Sequence, residues 1–199
     1  PTDRARSLYA GTGRPPGAGV LPGGENQPMG TPRVWLFDLD NTLHDAGASI
    51  MPRINGGMTQ YVARHLQVDA AAASEVRVRY WRLYGATLLG MIRHHQVSAA
   101  DFLAETHAIG DLQQMIRTER GLARLLRLLP GRKILLTNAP TRYSTDVVRH
   151  LGLQRHFSHH VAIENMHVHG QLRPKPSKLM LRRLLRKYGL AAQRCVLVE

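Results

Sequence analysis

An uninterrupted apolar run that ends on two carboxylates constrains the fold of this chain more than any other stretch. The run is "VWLFDLDNTL", residues 34–43, in which Asp38 and Asp40 follow four apolar residues and are separated by one residue. A run that is apolar at every position predicts a central strand of a parallel sheet, covered on both faces. The two carboxylates then lie at the carboxyl end of that strand.

Three further strands are predicted downstream, with helices between them. The strands are "KILLTNA" (133–139), "HVAIEN" (160–165) and "CVLVE" (195–199), and the helices are "RYSTDVVRHL" (142–151) and "SKLMLRRLLRKY" (177–188). Thr141 is expected to cap the first helix and Gly152 to close it, and Gly189 is expected to end the second. Strands that alternate with helices predict an α/β fold, a Rossmann-like parallel sheet wound by right-handed crossovers.

The stretch between the first two strands has only helical periodicity. Apolar residues recur at helical spacing over 51–66 and 76–91, and Ser98 with Asp101 resembles a capping box before a further helix. We therefore predict an inserted α-helical cap subdomain, residues 47–118, within an α/β core made of residues 32–46 and 119–199. Residues 1–31 are rich in Gly and Pro and are expected to be a disordered tail, and our hypothesis is that the natural protein starts near Met29.

Composition and charge limit the classes of binding partner and the cellular compartment that we expect for this chain. No run is long and apolar enough to span a membrane and no signal segment opens the chain, so we expect a cytoplasmic protein. The 27 basic residues exceed the 14 acidic ones, giving a net charge of +13 that suits an anionic substrate. The arginines are spread along helices, without the aromatic–basic alternation that stacks bases, so nucleic-acid binding is the weaker interpretation.

Polar residues converge on one edge of the predicted sheet, where ligands of open parallel sheets bind. They are Asp38, Asp40, Thr137, Asn138, Lys175 and Glu199. Two neighbouring carboxylates repel each other unless a cation offsets their charge, and Mg²⁺ prefers carboxylate oxygens together with water and phosphate. One carboxylate can then attack phosphorus while the other transfers protons, and a threonine hydroxyl and a lysine ammonium can bind phosphoryl oxygens. The set predicts phosphate-ester hydrolysis through an aspartyl-phosphate.

The order of these motifs resembles that of the haloacid dehalogenase superfamily hydrolases, from about residue 33 to the last residue. "DLDNTL" matches the first motif, "LLTNA" the second and Lys175 in "RPKPS" the third, and the helical insert matches the helical cap of that family. Within the superfamily, "WLFDLDNTLHD", "YWRLYGATLLGM", "TNAP" and "CVLVE" together resemble the bacterial pyrimidine 5′-nucleotidase branch.

The resemblance implies a role for each motif residue. Asp38 would be the nucleophile and Asp40 the general acid/base, because an aspartate at the second position is the phosphatase form. Thr137 would bind the phosphoryl group with help from the Asn138 backbone, and Lys175 would hold that group and orient Asp38. The Asp38 carboxylate and the Asp40 backbone carbonyl would bind Mg²⁺.

The end of the chain departs from the resemblance. In the nucleotidase branch the fourth motif reads Val-Glu-Asp, and its aspartate supplies a magnesium ligand. This chain stops at Glu199, which matches the residue before that ligand. We therefore expect a C-terminally truncated chain with weak magnesium binding and little or no activity.

Residues near the entrance of the cap are expected to choose the leaving group. The candidates are His44, Asp45, Arg53, Asn55 and Tyr84. Tyr84 could be a ring for base stacking, although core packing for Tyr84 and solvation for Arg53 explain these residues equally well. The histidines between 156 and 169 suggest a zinc site, but no cysteine and no pair of histidines four residues apart on a helix supports that interpretation. His167 and His169 are expected on a surface flap.

The predicted function of the intact protein is magnesium-dependent hydrolysis of a nucleoside 5′-monophosphate, with a pyrimidine base favoured. One alternative is another small phosphomonoester, such as a sugar phosphate or phosphoglycolate. An alternative of a different class is a non-catalytic, basic nucleic-acid-binding protein.

Overall fold

The computed structural model describes residues 33–199 of the chain, so the predicted tail and the proposed start at Met29 lie outside the described residues. The strands of the described part are β1 Val34–Phe37, β2 Arg132–Leu136, β3 His159–Val161, β4 His167–Val168, β5 Gln171–Leu172 and β6 Cys195–Val198. Four of them form a parallel sheet in the order β3-β2-β1-β6. This arrangement confirms the predicted α/β fold and the central position of the first strand.

The helices of the described part are α1 Ile50–Leu66, α2 Ala70–Tyr84, α3 Thr87–His95, α4 Ala99–Thr106, α5 Leu112–Met115, α6 Leu122–Leu128, α7 Thr141–His150 and α8 Lys178–Lys187. Helices α1 to α6 all lie between β1 and β2, as the helical periodicity predicts. The division of the chain into a core and a cap at residues 47 and 118 stays a prediction. Across residues 33–199, we find no helix with the length and apolarity that a membrane span requires.

Two predicted elements have different boundaries in the structure. The predicted strand over 160–165 ends at Val161, because the Asn165 side chain accepts the Ala162 N–H and the chain turns into a 3₁₀ segment, Ile163–Asn165. The helical period over 76–91 is broken at Gly85, whose φ of +81° ends α2 before α3 begins.

Thr141 does not cap α7, which was a wrong prediction. It is the first residue of the helix, and its N–H and hydroxyl both donate to the Glu164 carboxylate, which satisfies the helix terminus from another loop. Ser98 does cap α4, since its Oγ accepts the Asp101 N–H at 3.3 Å.

The sheet is covered on both faces, which explains why its strands are apolar at every position. Leu36 and Ile134 belong to one buried cluster, with Met180 and Leu184 of α8, while Phe37 and Leu135 belong to another on the opposite face, with residues of α1 and α7. The strands are therefore buried between helices on both sides of the sheet.

The helices between the first two strands have a core of their own, built around Tyr61, Tyr80, Met91 and Phe102. Helix α3 approaches α2 so closely that a Cβ atom on Gly90 would lie 2.2 Å from the Tyr80 ring. A glycine at position 90 therefore allows α2 and α3 to pack at this short distance.

Candidate active site

A cavity of about 680 Å³ lies at the carboxyl ends of the strands, beneath helices α1, α2 and α4. Its lining on the sheet side contains all the polar residues that the sequence places on this edge: Asp38, Asp40, Thr137, Asn138, Lys175 and Glu199. Parallel strands whose ends meet at one edge bring these residues together although more than 130 residues separate the first from Lys175 along the chain.

Lys175 links two of the carboxylates. Its Nζ lies 3.0 Å from Asp38 Oδ1 and 2.8 Å from Glu199 Oε1, and its side chain is only 5% exposed. Asp38 extends the β1–β6 ladder by one step, because its N–H donates to the Val198 carbonyl at 2.9 Å. The ladder therefore fixes the backbone of Asp38, and the lysine fixes the direction of its carboxylate.

Asn138 holds the loop that carries Lys175. The Asn138 Nδ2 donates to the Lys175 carbonyl at 3.1 Å, and the Lys175 N–H donates to Asn138 Oδ1 at 2.8 Å. The sequence assigned only the backbone of Asn138 to the site. The paired hydrogen bonds show that its side chain also joins the end of β2 to the lysine loop.

Asp40 is held through one of its two oxygens. Its Oδ1 accepts from the Tyr143 hydroxyl at 2.6 Å and from His44 Nε2 at 2.9 Å. Burial, followed by the charge of Asp40, raises the pKa of Tyr143, so this hydroxyl keeps its proton and donates. A carboxylate oxygen can only accept, so Nε2 is the protonated nitrogen of His44.

His44 lies behind Asp40 and not at the cavity entrance, which corrects the expectation that it contacts the leaving group. Its side chain is fully buried, and its Nδ1 has no hydrogen-bond partner among residues 33–199. Tyr143 was missed by sequence reasoning. It comes from α7, 103 residues after Asp40, and nothing in "RYSTDVV" separates a tyrosine of the site from a tyrosine of the core.

Thr137 directly follows β2, and its side chain is almost wholly buried at the cavity. The residue is 1% exposed, and its Oγ1 accepts the Ala139 N–H at 3.1 Å. A hydroxyl that accepts one hydrogen bond still has its own proton to donate. Thr137 can therefore donate to an anion bound beside Asp38.

The helical wall of the cavity carries Asn55 of α1 together with Arg77 and Trp81 of α2. Arg77 Nη1 donates to Asn55 Oδ1 at 3.0 Å. His107, after α4, also lines the cavity. Burial lowers its pKa; the hydrogen bond to the Leu103 carbonyl and the charges of Asp40 and Glu164 act in the opposite direction but are smaller effects.

Of the predicted cap residues, Asn55 reaches the cavity, whereas Arg53 and Tyr84 are not among the described residues that line it. Arg53 is 62% exposed and lies 3.5 Å from Asp111, and the Tyr84 hydroxyl hydrogen-bonds His94 Nε2 at 2.6 Å. The reason is helical phase. Tyr80 and Tyr84 lie one turn apart on the face of α2 that meets α3, while Arg77 and Trp81 lie one turn apart on the face that meets the cavity.

The carboxylate oxygens at the sheet edge are suitable ligands for a magnesium ion whose remaining coordination positions would be filled by water and substrate. The carboxylates of Asp38 and Glu199 contact the ammonium of Lys175, and Asp40 lines the same cavity, so three carboxylates accompany one lysine there. Mg²⁺ commonly binds through one or two carboxylates and keeps several waters. In the described part of the chain, we find no group of three or more His, Cys, Asp or Glu side chains arranged to hold a metal.

The histidines after α7 make separate contacts. His160 Nε2 hydrogen-bonds Ser144 Oγ at 2.8 Å, the His159 ring packs on Tyr188, and His167 Nδ1 lies 3.0 Å from the Glu164 carbonyl. The predicted flap is present as the antiparallel pair β4–β5, with His167 and His169 exposed on it.

Comparison with known proteins places this geometry in a family. A family model described as "Hydrolase: haloacid dehalogenase-like hydrolase" matches residues 32–199. Phosphate metabolism protein 8 of Saccharomyces cerevisiae is 25% identical over 131 residues, which are 61% of this chain and 40% of that protein, so the chain spans less than half the length of this relative.

Solved structures share the fold at low sequence identity. A "predicted phosphatase" from Clostridium acetobutylicum matches with a TM-score of 0.54 and 16% identity, over 84% of this chain and 76% of that one. A HAD-superfamily hydrolase of subfamily IA, variant 1, from Geobacter sulfurreducens PCA matches with a TM-score of 0.50 and 16% identity, over 84% of this chain and 79% of that one.

Proposed function

Because the chain belongs to the haloacid dehalogenase-like hydrolases, we propose that it hydrolyses phosphomonoesters through a covalent phosphoryl intermediate on Asp38. The observation that carries this proposal is the pairing of two differently held carboxylates. Asp38 contacts a buried lysine, and Asp40, two residues later, is held through one oxygen by Tyr143 and His44. Carboxylates in different environments can take different roles, one as nucleophile and one as proton carrier.

In the first step the Asp38 carboxylate attacks phosphorus, so that a bond forms between its oxygen and phosphorus and the bond to the leaving oxygen breaks. Asp40 gives a proton to that leaving oxygen. Since Asp40 Oδ1 already accepts two hydrogen bonds, Oδ2 is the oxygen that carries this proton. Tyr143 and His44 act as positioning residues for Asp40.

In the second step water attacks the phosphorus of the intermediate, and Asp40 takes the proton of that water. The bond between Asp38 and phosphorus breaks and inorganic phosphate leaves. Lys175 and the Thr137 hydroxyl stabilise the charge on the phosphoryl oxygens, because both lie at the carboxyl ends of the strands beside Asp38.

Enzymes of this family generally use Mg²⁺. The Asp38 carboxylate and the Asp40 backbone carbonyl would hold the ion here. Its chemistry would be to offset the charge of the phosphate and of the nearby carboxylates.

The proposed substrate is a nucleoside 5′-monophosphate, and specifically a pyrimidine one. Support comes from the cavity, which extends from the carboxylates at the sheet edge to polar and aromatic residues on α1 and α2. A phosphate at the sheet edge would leave the remaining part of the substrate beneath those helices. The net charge of +13 attracts an anionic substrate of this kind.

The test is release of inorganic phosphate by the full-length protein with Mg²⁺ from UMP, CMP, AMP, ribose 5-phosphate and phosphoglycolate. We expect release from the pyrimidine nucleotides and a loss of at least about a thousandfold in Asp38→Asn, because the nucleophile is removed. Asp146→Asn is the matched control, since Asp146 is a partly exposed carboxylate on α7 that pairs with Arg149 and is not among the described residues lining this cavity.

Two results would contradict the proposal. Equal phosphate release by Asp38→Asn and by the unmodified protein would remove Asp38 from the chemistry. No release from any of these compounds, together with DNA binding that weakens steeply with salt, would favour the nucleic-acid-binding alternative.

A further inference from the structure

The helical wall of the cavity carries a hydrogen-bonded pair, Arg77 and Asn55, that the proposed chemistry does not use. Arg77 and Trp81 are four residues apart on α2 and face the cavity together, and Asn55 reaches the same wall from α1. The Arg77 carbonyl accepts from Thr87 Oγ1 at 3.0 Å, which joins this part of α2 to the start of α3. The three side chains therefore lie on packed helices and not on a loop.

Beyond the hydrogen bond between Arg77 and Asn55, the polar groups that these two side chains can offer to a ligand are N–H donors. A guanidinium can only donate, so the Asn55 oxygen must face Arg77, and the Asn55 Nδ2 then points its N–H groups elsewhere. The Arg77 Nε is buried and has no hydrogen-bond partner among the described residues. A buried donor without an acceptor is unfavourable, and a ligand that brings an acceptor oxygen relieves it.

Trp81 adds a flat apolar surface beside these donors. It is 59% exposed although it is the largest side chain of α2, and it contributes to the lining of the cavity. Aromatic faces bind planar heterocycles by stacking, and every nucleobase offers such a face. The wall thus combines a stacking surface with hydrogen-bond donors.

We propose that Asn55, Arg77 and Trp81 form the leaving-group subsite, which takes a planar heterocycle with carbonyl acceptors, as in the base of a pyrimidine nucleotide. Uracil and cytosine both present a carbonyl oxygen that can accept from Arg77 or Asn55. A sugar phosphate without a base has no flat face for Trp81. This assignment rests on the proposed phosphatase function, because it concerns the part of the substrate that leaves.

The experiment compares UMP with ribose 5-phosphate, which has the same phosphate and sugar without the base. Arg77→Gln and Trp81→Leu should each lower kcat/KM for UMP by about 10- to 100-fold, since each removes an interaction with the base. The same variants should change kcat/KM for ribose 5-phosphate by less than about threefold. Arg82→Gln is the matched control, because Arg82 is an exposed arginine of the same helix that is not among the described residues lining the cavity.

A binding measurement separates recognition from chemistry. In the Asp38→Asn background, UMP should quench tryptophan fluorescence, and the quenching should disappear when Trp81 is replaced while Trp35 remains. Equal losses on UMP and ribose 5-phosphate, or quenching that persists without Trp81, would overturn the subsite and leave the proposed function standing. No phosphate release from either compound by the unmodified protein would instead overturn the proposed function.

Discussion

Replacing Tyr143 with phenylalanine removes one of the two hydrogen bonds that hold Asp40, without changing the shape of the core. Tyr143 is 2% exposed, and its ring packs in the cluster beneath α1 and α7. Only the hydroxyl is lost in Tyr143→Phe, and the His44 hydrogen bond to the same oxygen remains. The variant therefore tests whether the position of Asp40 matters.

The expected loss follows from the type of hydrogen bond. The hydroxyl donates to a carboxylate at 2.6 Å, and hydrogen bonds to charged groups contribute about 1.5–3 kcal/mol to stability. The Asp40 side chain is 21% exposed, so water replaces part of the lost bond and the lower end of that range applies. We expect the free energy of unfolding to fall by about 1.5 kcal/mol. Because a well-placed general acid contributes about 100- to 10,000-fold to rate, loosening Asp40 without removing it should lower kcat by about tenfold.

The assay is urea denaturation together with steady-state phosphate release from UMP. Tyr80→Phe is the control, since the Tyr80 hydroxyl bonds a neutral partner, His95, in the core of the cap helices. It should lose about 1 kcal/mol of stability and keep kcat within about twofold. If Tyr143→Phe has the kcat of the unmodified protein, the positioning role of Tyr143 is refuted.

Three further predictions concern packing, pH and metal. Gly90→Ala should lower the free energy of unfolding by about 1–3 kcal/mol in urea denaturation because its Cβ would overlap Tyr80, whereas Gly56→Ala, with nothing within 4 Å, should raise it by up to about 1 kcal/mol. Burial lowers the pKa of His107, so the unfolded chain binds a proton that the folded chain does not. The free energy of unfolding should fall as the pH drops below 6.5, and His107→Phe should make that fall smaller. Chelation with EDTA should abolish phosphate release while the far-UV circular dichroism spectrum stays unchanged, and added Mg²⁺ should restore the release. A fully stable Gly90→Ala variant, an unchanged pH profile or activity in EDTA would contradict the respective prediction.

The sheet edge could be predicted because it depends on topology and not on side-chain detail. Apolar runs placed β1, β2 and β6 in the sheet, and the rule that ligands bind at the carboxyl ends of parallel strands then placed Asp38, Thr137 and Glu199 together. Lys175 could be assigned only through its position in the order of motifs. Its contact with Asp38 spans a loop whose course the periodicity does not specify.

The helical wall could not be predicted to the same degree, because a shift of one residue in helical phase changes which face meets the cavity. The sequence offered Tyr84 as a stacking ring, with core packing as an equal alternative, and the structure places Trp81 at the cavity while Tyr84 contacts His94. Which face of α2 meets the cavity depends on how the helix packs against α3, as in the close contact between Gly90 and Tyr80, and the sequence pattern does not specify such tertiary contacts. Tyr143 was unpredictable for a related reason, since its partner lies in a distant part of the chain.

The most direct test of the central claim is detection of a phosphoryl group on Asp38 during turnover. The full-length protein is mixed with UMP and Mg²⁺, quenched in acid within a single turnover, and digested for mass spectrometry of the peptide that contains residues 34–43. This peptide should gain one phosphoryl group transiently, and the same peptide of Asp38→Asn should never gain one. Phosphate release in the same turnover with no phosphoryl group on that peptide would contradict a covalent intermediate on Asp38.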